Sequence, residues 1–176
     1  MAEISGNASE LDERFPALYE ELRRLASALS RSSPAATLNP TALVNEAYIK
    51  LASSKQFSST SAMHFKRIAS KVMRQVLWDA SRRKLAAKRG QGAARVTLDD
   101  QFEQKTWNVE QILLLDDLLS KLRTISPRQA DIVECRFYGG LTDEEIASEL
   151  GISRPTVERD WKMARAWLNS QFDEQF

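Results

Sequence analysis

The stretch LTDEEIASELGISRPTVERDWKMARAWL, residues 141–168, governs how the rest of the chain is read. Two helices that meet at a tight turn need a small residue where they touch, a glycine at the turn, and an apolar residue further on that pins the second helix. Ala147, Gly151 and Val157 stand at that spacing, and Ile146, Leu150, Ile152, Trp161 and Ala164 are available for a small core. Thr142 and Glu145 form a capping-box pair that introduces a helix over Glu145–Leu150, and Ser153 caps the next helix, which accepts Pro155 in its first turn. The pattern predicts a helix-turn-helix. Its second helix offers Arg154, Thr156, Glu158, Arg159, Lys162 and Arg165 to solvent. Arg154, Thr156 and Arg159 lie nearest the start, where base edges in a major groove are reached, and Lys162 and Arg165 are placed for phosphates. Glu158 and Asp160 sit in the same helix and would repel a phosphate backbone unless a neighbouring arginine pairs with them or they accept from cytosine. A hairpin that merely packs is the plainer alternative. The agreement of caps, glycine and apolar pins favours a DNA reader.

Working outward, the apolar period is helical everywhere and nowhere alternates as a strand would. Leu115, Leu118, Leu119 and Leu122 make one stripe, and Ser126, Pro127 and Gln129 open the next helix with a cap, a first-turn proline and a capping-box partner, closed by Gly139 and Gly140. Nearer the N-terminus, Leu18, Leu22, Leu25 and Leu29 form a stripe; Asn39 and Pro40 start a helix that buries Leu43, Val44, Ala47, Tyr48 and Leu51. The serine-rich Ser53–Ser61 fits a loop. A long basic helix follows from Ala62 to about Lys88, with Phe65, Ile68, Ala69, Val72, Val76 and Leu77 as its apolar side. Gly90–Ala94 break it, and Arg95–Asn108 have no period. The expected fold class is all-α: two small helical domains joined by a flexible linker, the C-terminal one a helix-turn-helix. The expected boundaries are a disordered tail at 1–10, a first domain at 11–90, a linker at 91–109 and a second domain at 110–172.

The 176 residues carry 25 Lys and Arg against 24 Asp and Glu, with one His and one Cys. A single cysteine, Cys135, cannot close an internal disulfide, its apolar neighbours make it a buried thiol, and no Cys/His cluster exists for zinc. The first ten residues have neither the basic start nor the apolar stretch of a secretory signal, and the longest strongly apolar run, Ile112–Leu115, is far short of the roughly twenty residues of a membrane span. A cytoplasmic location is expected, with no membrane partner. The near-neutral balance hides a skewed layout. Residues 1–60 hold six basic and seven acidic groups, residues 61–95 ten and one, and residues 96–176 nine and sixteen. In the middle segment Lys66, Arg67, Lys71, Arg74, Arg82, Arg83, Lys84, Lys88, Arg89 and Arg95 are opposed only by Asp79. Such a helix would show positive charge around much of its exposed surface. A net +9 repels itself unless something negative arrives, which points to a polyanion. Phe57, Phe65, Trp78 and His64 accompany these cations and could stack an unpaired base, although Phe65 fits the apolar stripe and belongs in a core. His64 is the one side chain suited to general-base work at neutral pH, yet its segment holds no carboxylate before Asp79, so a surface or nucleic-acid-facing role is expected.

The order of these parts resembles the bacterial RNA polymerase sigma factors of the sigma-70 family, specifically the extracytoplasmic-function (ECF) group and a divergent ECF-like subgroup within it. The resemblance covers about Leu18 to Leu168. Its specific parts are Leu43-Val44-Asn45-Glu46-Ala47-Tyr48, Asp79-Ala80-Ser81-Arg82-Arg83 leading to Ala87-Lys88-Arg89-Gly90, Leu122 with Ser126-Pro127-Arg128-Gln129, and the helix-turn-helix. It implies that Leu43, Asn45, Glu46, Ile49 and Lys50 dock on the clamp helices of the largest subunit of core RNA polymerase. It implies that His64, Lys71, Arg74, Trp78, Arg82, Arg83, Lys88 and Arg89 hold and melt the proximal promoter element, and that Arg154, Thr156, Glu158, Arg159, Lys162 and Arg165 read the distal one. Ala42 and Asn45 stand where the group commonly has an acid and a glutamine, and His64 stands near the place of a frequent tryptophan. The implied function is promoter recognition and DNA opening in transcription initiation, with core polymerase and promoter DNA as partners and room for an anti-sigma factor. No catalytic residue, metal, cofactor or small-molecule substrate is expected. Two alternatives account for less: a stand-alone helix-turn-helix regulator leaves the Leu43–Leu51 helix and the basic helix without purpose, and a nucleic-acid-processing enzyme would have to rely on His64 and nearby acids.

Overall fold

The computed structural model describes residues 39–53, 61–87 and 109–174, together with Pro16, Tyr19, Glu20, Arg23 and Ser27, which are helical. The chain is all-α: among the described residues there are no strands. Beyond those, the described residues form, in order, α1 (Pro40–Ala52), α2 (Ala62–Ala87), α3 (Val109–Ile125), α4 (Pro127–Gly139), α5 (Asp143–Leu150) and α6 (Arg154–Glu174). The expected tail at 1–10 and all of the 91–109 linker but Val109 lie outside the described residues, as do the leucine stripe at 18–29, Phe57, Lys88 and Arg89.

Local chemistry sets most helix ends. Asn39 accepts from the Thr41 and Ala42 amides at 3.0 and 3.4 Å, with Pro40 at the first position, so α1 starts where a cap and a preset φ coincide. Thr142 and Glu145 close both halves of a capping box, which places the start of α5 at Asp143, two residues earlier than the sequence suggested. Ser126 precedes α4 but makes no side-chain cap bond, and Gln129 reaches Met163 Sδ at 3.9 Å instead, so the capping box expected there does not form. Gly140 and Gly151 adopt left-handed φ values of 60° and 64°, ending α4 and α5 at no steric cost. Gly139 is different: it is still helical and buried, and a Cβ there would lie 2.0 Å from Ser70 Oγ, so α2 and α4 cross at glycine distance.

Packing joins both halves of the chain. The buried side chains form one continuous core, running from Leu43, Val44, Ala47 and Leu51 through Phe65, Ala69, Met73, Val76 and Leu77 to Leu115, Leu119, Ile132, Val157, Trp161 and Phe172. Phe65 is buried there, in keeping with its apolar stripe, and Tyr19 packs against the same cluster. The long helix α2 lies against α1 on one side and against α3, α4 and α5 on the others. Its apolar surface is wide enough to serve all of them, because Met73 and Ala80 extend the stripe beyond the residues that the helical period first suggests.

Candidate nucleic-acid interface

The turn between α5 and α6 is built from the residues that the 141–168 stretch supplies. Gly151 turns the chain, the Ile152 amide bonds Ala147 O at 3.0 Å, and the Thr156 and Val157 amides bond Ser153 O at 3.0 and 3.1 Å. Val157, Trp161, Ala164 and Leu168 bury one side of α6 against the core. Arg136 lies over the Trp161 ring, 4.7 Å from its centroid. The opposite side faces solvent: the Arg154 and Arg159 side chains are 58% and 64% exposed, and Lys162 is exposed one turn later.

The two acids of this helix have different fates. Glu158 accepts from Arg154 at 2.9 Å, one turn away, and Glu144 holds the same guanidinium at 2.6 Å. The hydrogen bond to Glu158 heads the causes that raise the Arg154 pKa above its usual value. Asp160 is buried, accepts from Arg128 at 2.6 Å and faces Arg159 at 3.4 Å. It anchors α6 to the start of α4, and its arginine partners are those that the sequence required of an acid in this helix.

The basic helix α2 is in other surroundings. His64, Arg67, Lys71, Arg74 and Trp78 succeed one another at three- and four-residue steps, so they share one side of the helix, while Arg83 lies on the side that meets α1. Most of that side is turned onto the carboxylates of α3, α4 and α5. Arg74 Nε bonds Asp116 at 2.6 Å, its Nη1 bonds Glu134 at 3.1 Å, and its Nη2 bonds Asp116 O and Ser120 Oγ at 3.1 and 2.9 Å. Burial opposes the charge on Arg74, but the hydrogen bonds to Asp116 and Glu134 outweigh it and raise its pKa. Arg67 pairs with Asp131 at 2.9 Å and Glu149 at 3.6 Å, and Lys66 pairs with Glu145 at 2.7 Å. His64 Nδ1 lies 2.8 Å from Glu149, so the carboxylate missing from its own segment arrives from α5. Lys66, Arg67 and Arg74 are therefore compensated from within the chain, whereas the sequence pattern left all ten cations opposed only by Asp79. A cavity of about 580 Å³ opens along this seam, lined by Lys71, Arg74, Gln75, Trp78, Asp116, Arg123 and Glu134.

At the far end of α2 the cations stay accessible. Arg82 is exposed and lies over the half-buried Trp78 ring, 4.7 Å from its centroid, and Arg83, 64% exposed, bonds Glu46 of α1 at 2.9 Å. Lys50 bonds Asp79 at 2.7 Å. On α1, Asn45 and Ile49 are exposed and Glu46 is half-buried beside them, whereas Leu43 is only 3% exposed and belongs to the core rather than to a surface.

The family model described as ECF sigma factor matches residues 3–174, nearly the whole chain. The chain belongs to the ECF sigma factor family. It is accordingly a sigma factor that directs transcription initiation at promoters, and its family implies partnership with core RNA polymerase, promoter DNA and anti-sigma factors. The family consists of initiation factors, not catalysts. No curated protein and no solved structure matches the chain. Among the described residues no helix is long and apolar enough to cross a membrane, and no group of three or more His, Cys, Asp or Glu could hold a metal ion. Cys135 is buried, and burial pushes its thiol up to about 12, so it is inert at neutral pH.

The residues missed by sequence reasoning of this sigma factor are the acids facing α2: Asp116, Asp131, Glu134, Glu145 and Glu149. A signal for them was present. The sixteen acids against nine bases in residues 96–176 complement the +9 of residues 61–95 within the same chain.

Proposed function

We propose that this sigma factor divides promoter work among three surfaces. The start of α6, with Arg154, Thr156 and Arg159, reads base edges of the distal element, while Lys162 and Arg165 hold phosphates and Glu158 keeps Arg154 in place. The exposed end of α2, with Trp78, Arg82 and Arg83, engages the proximal element, joined by His64, Lys71 and Arg74 of the same stripe and by Lys88 and Arg89 just beyond the described helix. A positive surface beside an aromatic ring can trap an unstacked base without bond chemistry, at about 1–3 kcal/mol per base. Asn45, Glu46, Ile49 and Lys50 on α1 meet the polymerase clamp helices, with Leu43 acting from within the core.

The observation that carries this proposal is the start of α6, where the Arg154 and Arg159 side chains are 58% and 64% exposed while the helix's other side is pinned by Val157, Trp161 and Asp160. Footprinting with core polymerase tests it. Replacing Arg154 and Arg159 by Ala should remove protection of the distal element, and unchanged protection would take α6 out of the reader's role. Replacing Arg82 and Arg83 by Ala should reduce opening and lower the salt dependence of binding by roughly one log-log unit per lost phosphate contact. Glu46→Lys should weaken capture of core polymerase in a pull-down, and wild-type recovery would refute its assignment.

A further inference from the structure

We propose that Asp160 is a positioning residue of the promoter reader: it steers Arg159 toward a base edge from beneath, while Arg128 takes up the rest of its charge. This deepens the assignment of the start of α6 to the distal element and rests on it. Asp160 lies on the side of α6 that Val157, Trp161 and Ala164 bury, and its side chain is 3% exposed. An apolar residue would pack there at lower cost, because a buried carboxylate gives up its hydration and is compensated only by well-placed partners. Packing does not account for the acid; what it holds does.

The two carboxylate oxygens divide two arginines between them. Oδ2 accepts from Nε of Arg128, at the start of α4, at 2.6 Å, a short charge-assisted bond that fixes the carboxylate. Oδ1 accepts from both Nε and Nη2 of Arg159 at 3.4 Å. These longer contacts steer the guanidinium without withdrawing it, and the Arg159 side chain stays 64% exposed. Neither uses Nη1, so the edge formed by Nη1 and Nη2 is left for a two-donor contact with O6 and N7 of a guanine. Arg154 is steered differently, by Glu144 and Glu158, whose side chains are 60% and 43% exposed. Steering from beneath has an electrostatic advantage: the buried Asp160 orders a base-reading cation without adding an exposed negative charge to a surface that meets phosphates.

The experiment presents the full chain, bound to core RNA polymerase, with a pool of DNA duplexes of randomised sequence, and the bound fraction is sequenced to give the base preference at each position. Arg159→Ala should flatten the preference at one position by roughly tenfold, and Asp160→Asn, which keeps the shape and removes the charge, should flatten the same position by roughly fivefold. Asp160→Asn added to Arg159→Ala should change that position no further, because the two residues act as one unit. Loss of a negative charge beside a polyanion would by itself tighten binding to every sequence, and Asp117→Asn, at an exposed acid of α3, measures that effect. Full preference in Asp160→Asn, or an even change across all positions, would overturn the positioning role and leave Arg159 as the reader. No change in Arg159→Ala would remove the reading by Arg159 itself, and the positioning with it. Should Asp160→Asn fold poorly, Arg128→Met alters the pair from its half-exposed end. Asp160 then draws Arg159 onto itself, and the preference at the same position should fall; an unchanged preference would overturn the proposal.

Discussion

Helices α2 and α6 are both read from sequence as DNA-facing, and they end in opposite surroundings. In α6, Arg154 meets Glu158 one turn away and Glu144 of the adjoining α5, and remains 58% exposed. In α2 the counter-charges come from distant sequence. Arg74 meets Asp116 and Glu134, and its side chain is only 15% exposed. At Arg154 the pairing stays at the surface, while at Arg74 it lies beneath α3 and α4. A surplus of charge thus says that a polyanion will be met, and not whether that polyanion is a ligand or the same chain.

The largest effect that sharpens the contrast is on the seat of α6. Trp161→Ala removes a buried ring and its Arg136 contact, and should cost about 3–5 kcal/mol in chemical denaturation. A loss below 1 kcal/mol would mean that α6 is not held by its apolar side. Next comes the paired cation of α2. Arg74→Met should cost about 1–3 kcal/mol because it leaves Glu134 with Arg123 alone, whereas Arg82→Met, losing only its exposed contact with Trp78, should cost about 0.5–1 kcal/mol. Equal losses in the two variants would erase the distinction between a covered and an open end of α2.

Smaller effects test helix ends and pH. Thr142→Ala should lower stability by about 1 kcal/mol, while Ser126→Ala should change it by a few tenths at most, since Ser126 makes no side-chain cap bond. Burial alone would raise the Glu145 carboxyl, but its hydrogen bonds to Lys66 and Thr142 prevail and hold it below its ordinary value. A lowered carboxyl contributes stability that is present above its unfolded pKa and lost as pH falls through the folded one. Acid titration should therefore loosen the α2–α5 contact only below the ordinary carboxylate range, and Glu145→Gln should flatten that part of the profile. An identical profile in the variant would remove the Lys66 pair from the acid response.

Much of this was legible in the chain. Asn39 with Pro40, the Thr142 and Glu145 pair, and the Leu115–Leu122 stripe each use chemistry complete within a few residues, and they fold as that chemistry dictates. The fold class follows from the same period. What escaped was decided by tertiary partners. Gln129 leaves its expected capping role because Met163 of α6 is within reach. Asp160 was legible only as an acid in need of an arginine partner; its place beside Trp161 and three residues after Val157 puts it on the core side, where Arg128 satisfies it. Leu43, inside a motif read as an interface, is core because α2 covers its side of α1. The pairing of α2 with the acids of α3, α4 and α5 was the hardest to foresee, because no single segment contains both halves of it.

Footprinting of promoter DNA by the full chain, with and without core RNA polymerase, measures the difference between the two helices most directly. The account predicts that the chain alone leaves the proximal element unprotected, and that adding core polymerase brings protection of both elements. Equal protection of the proximal element by the chain alone would contradict it.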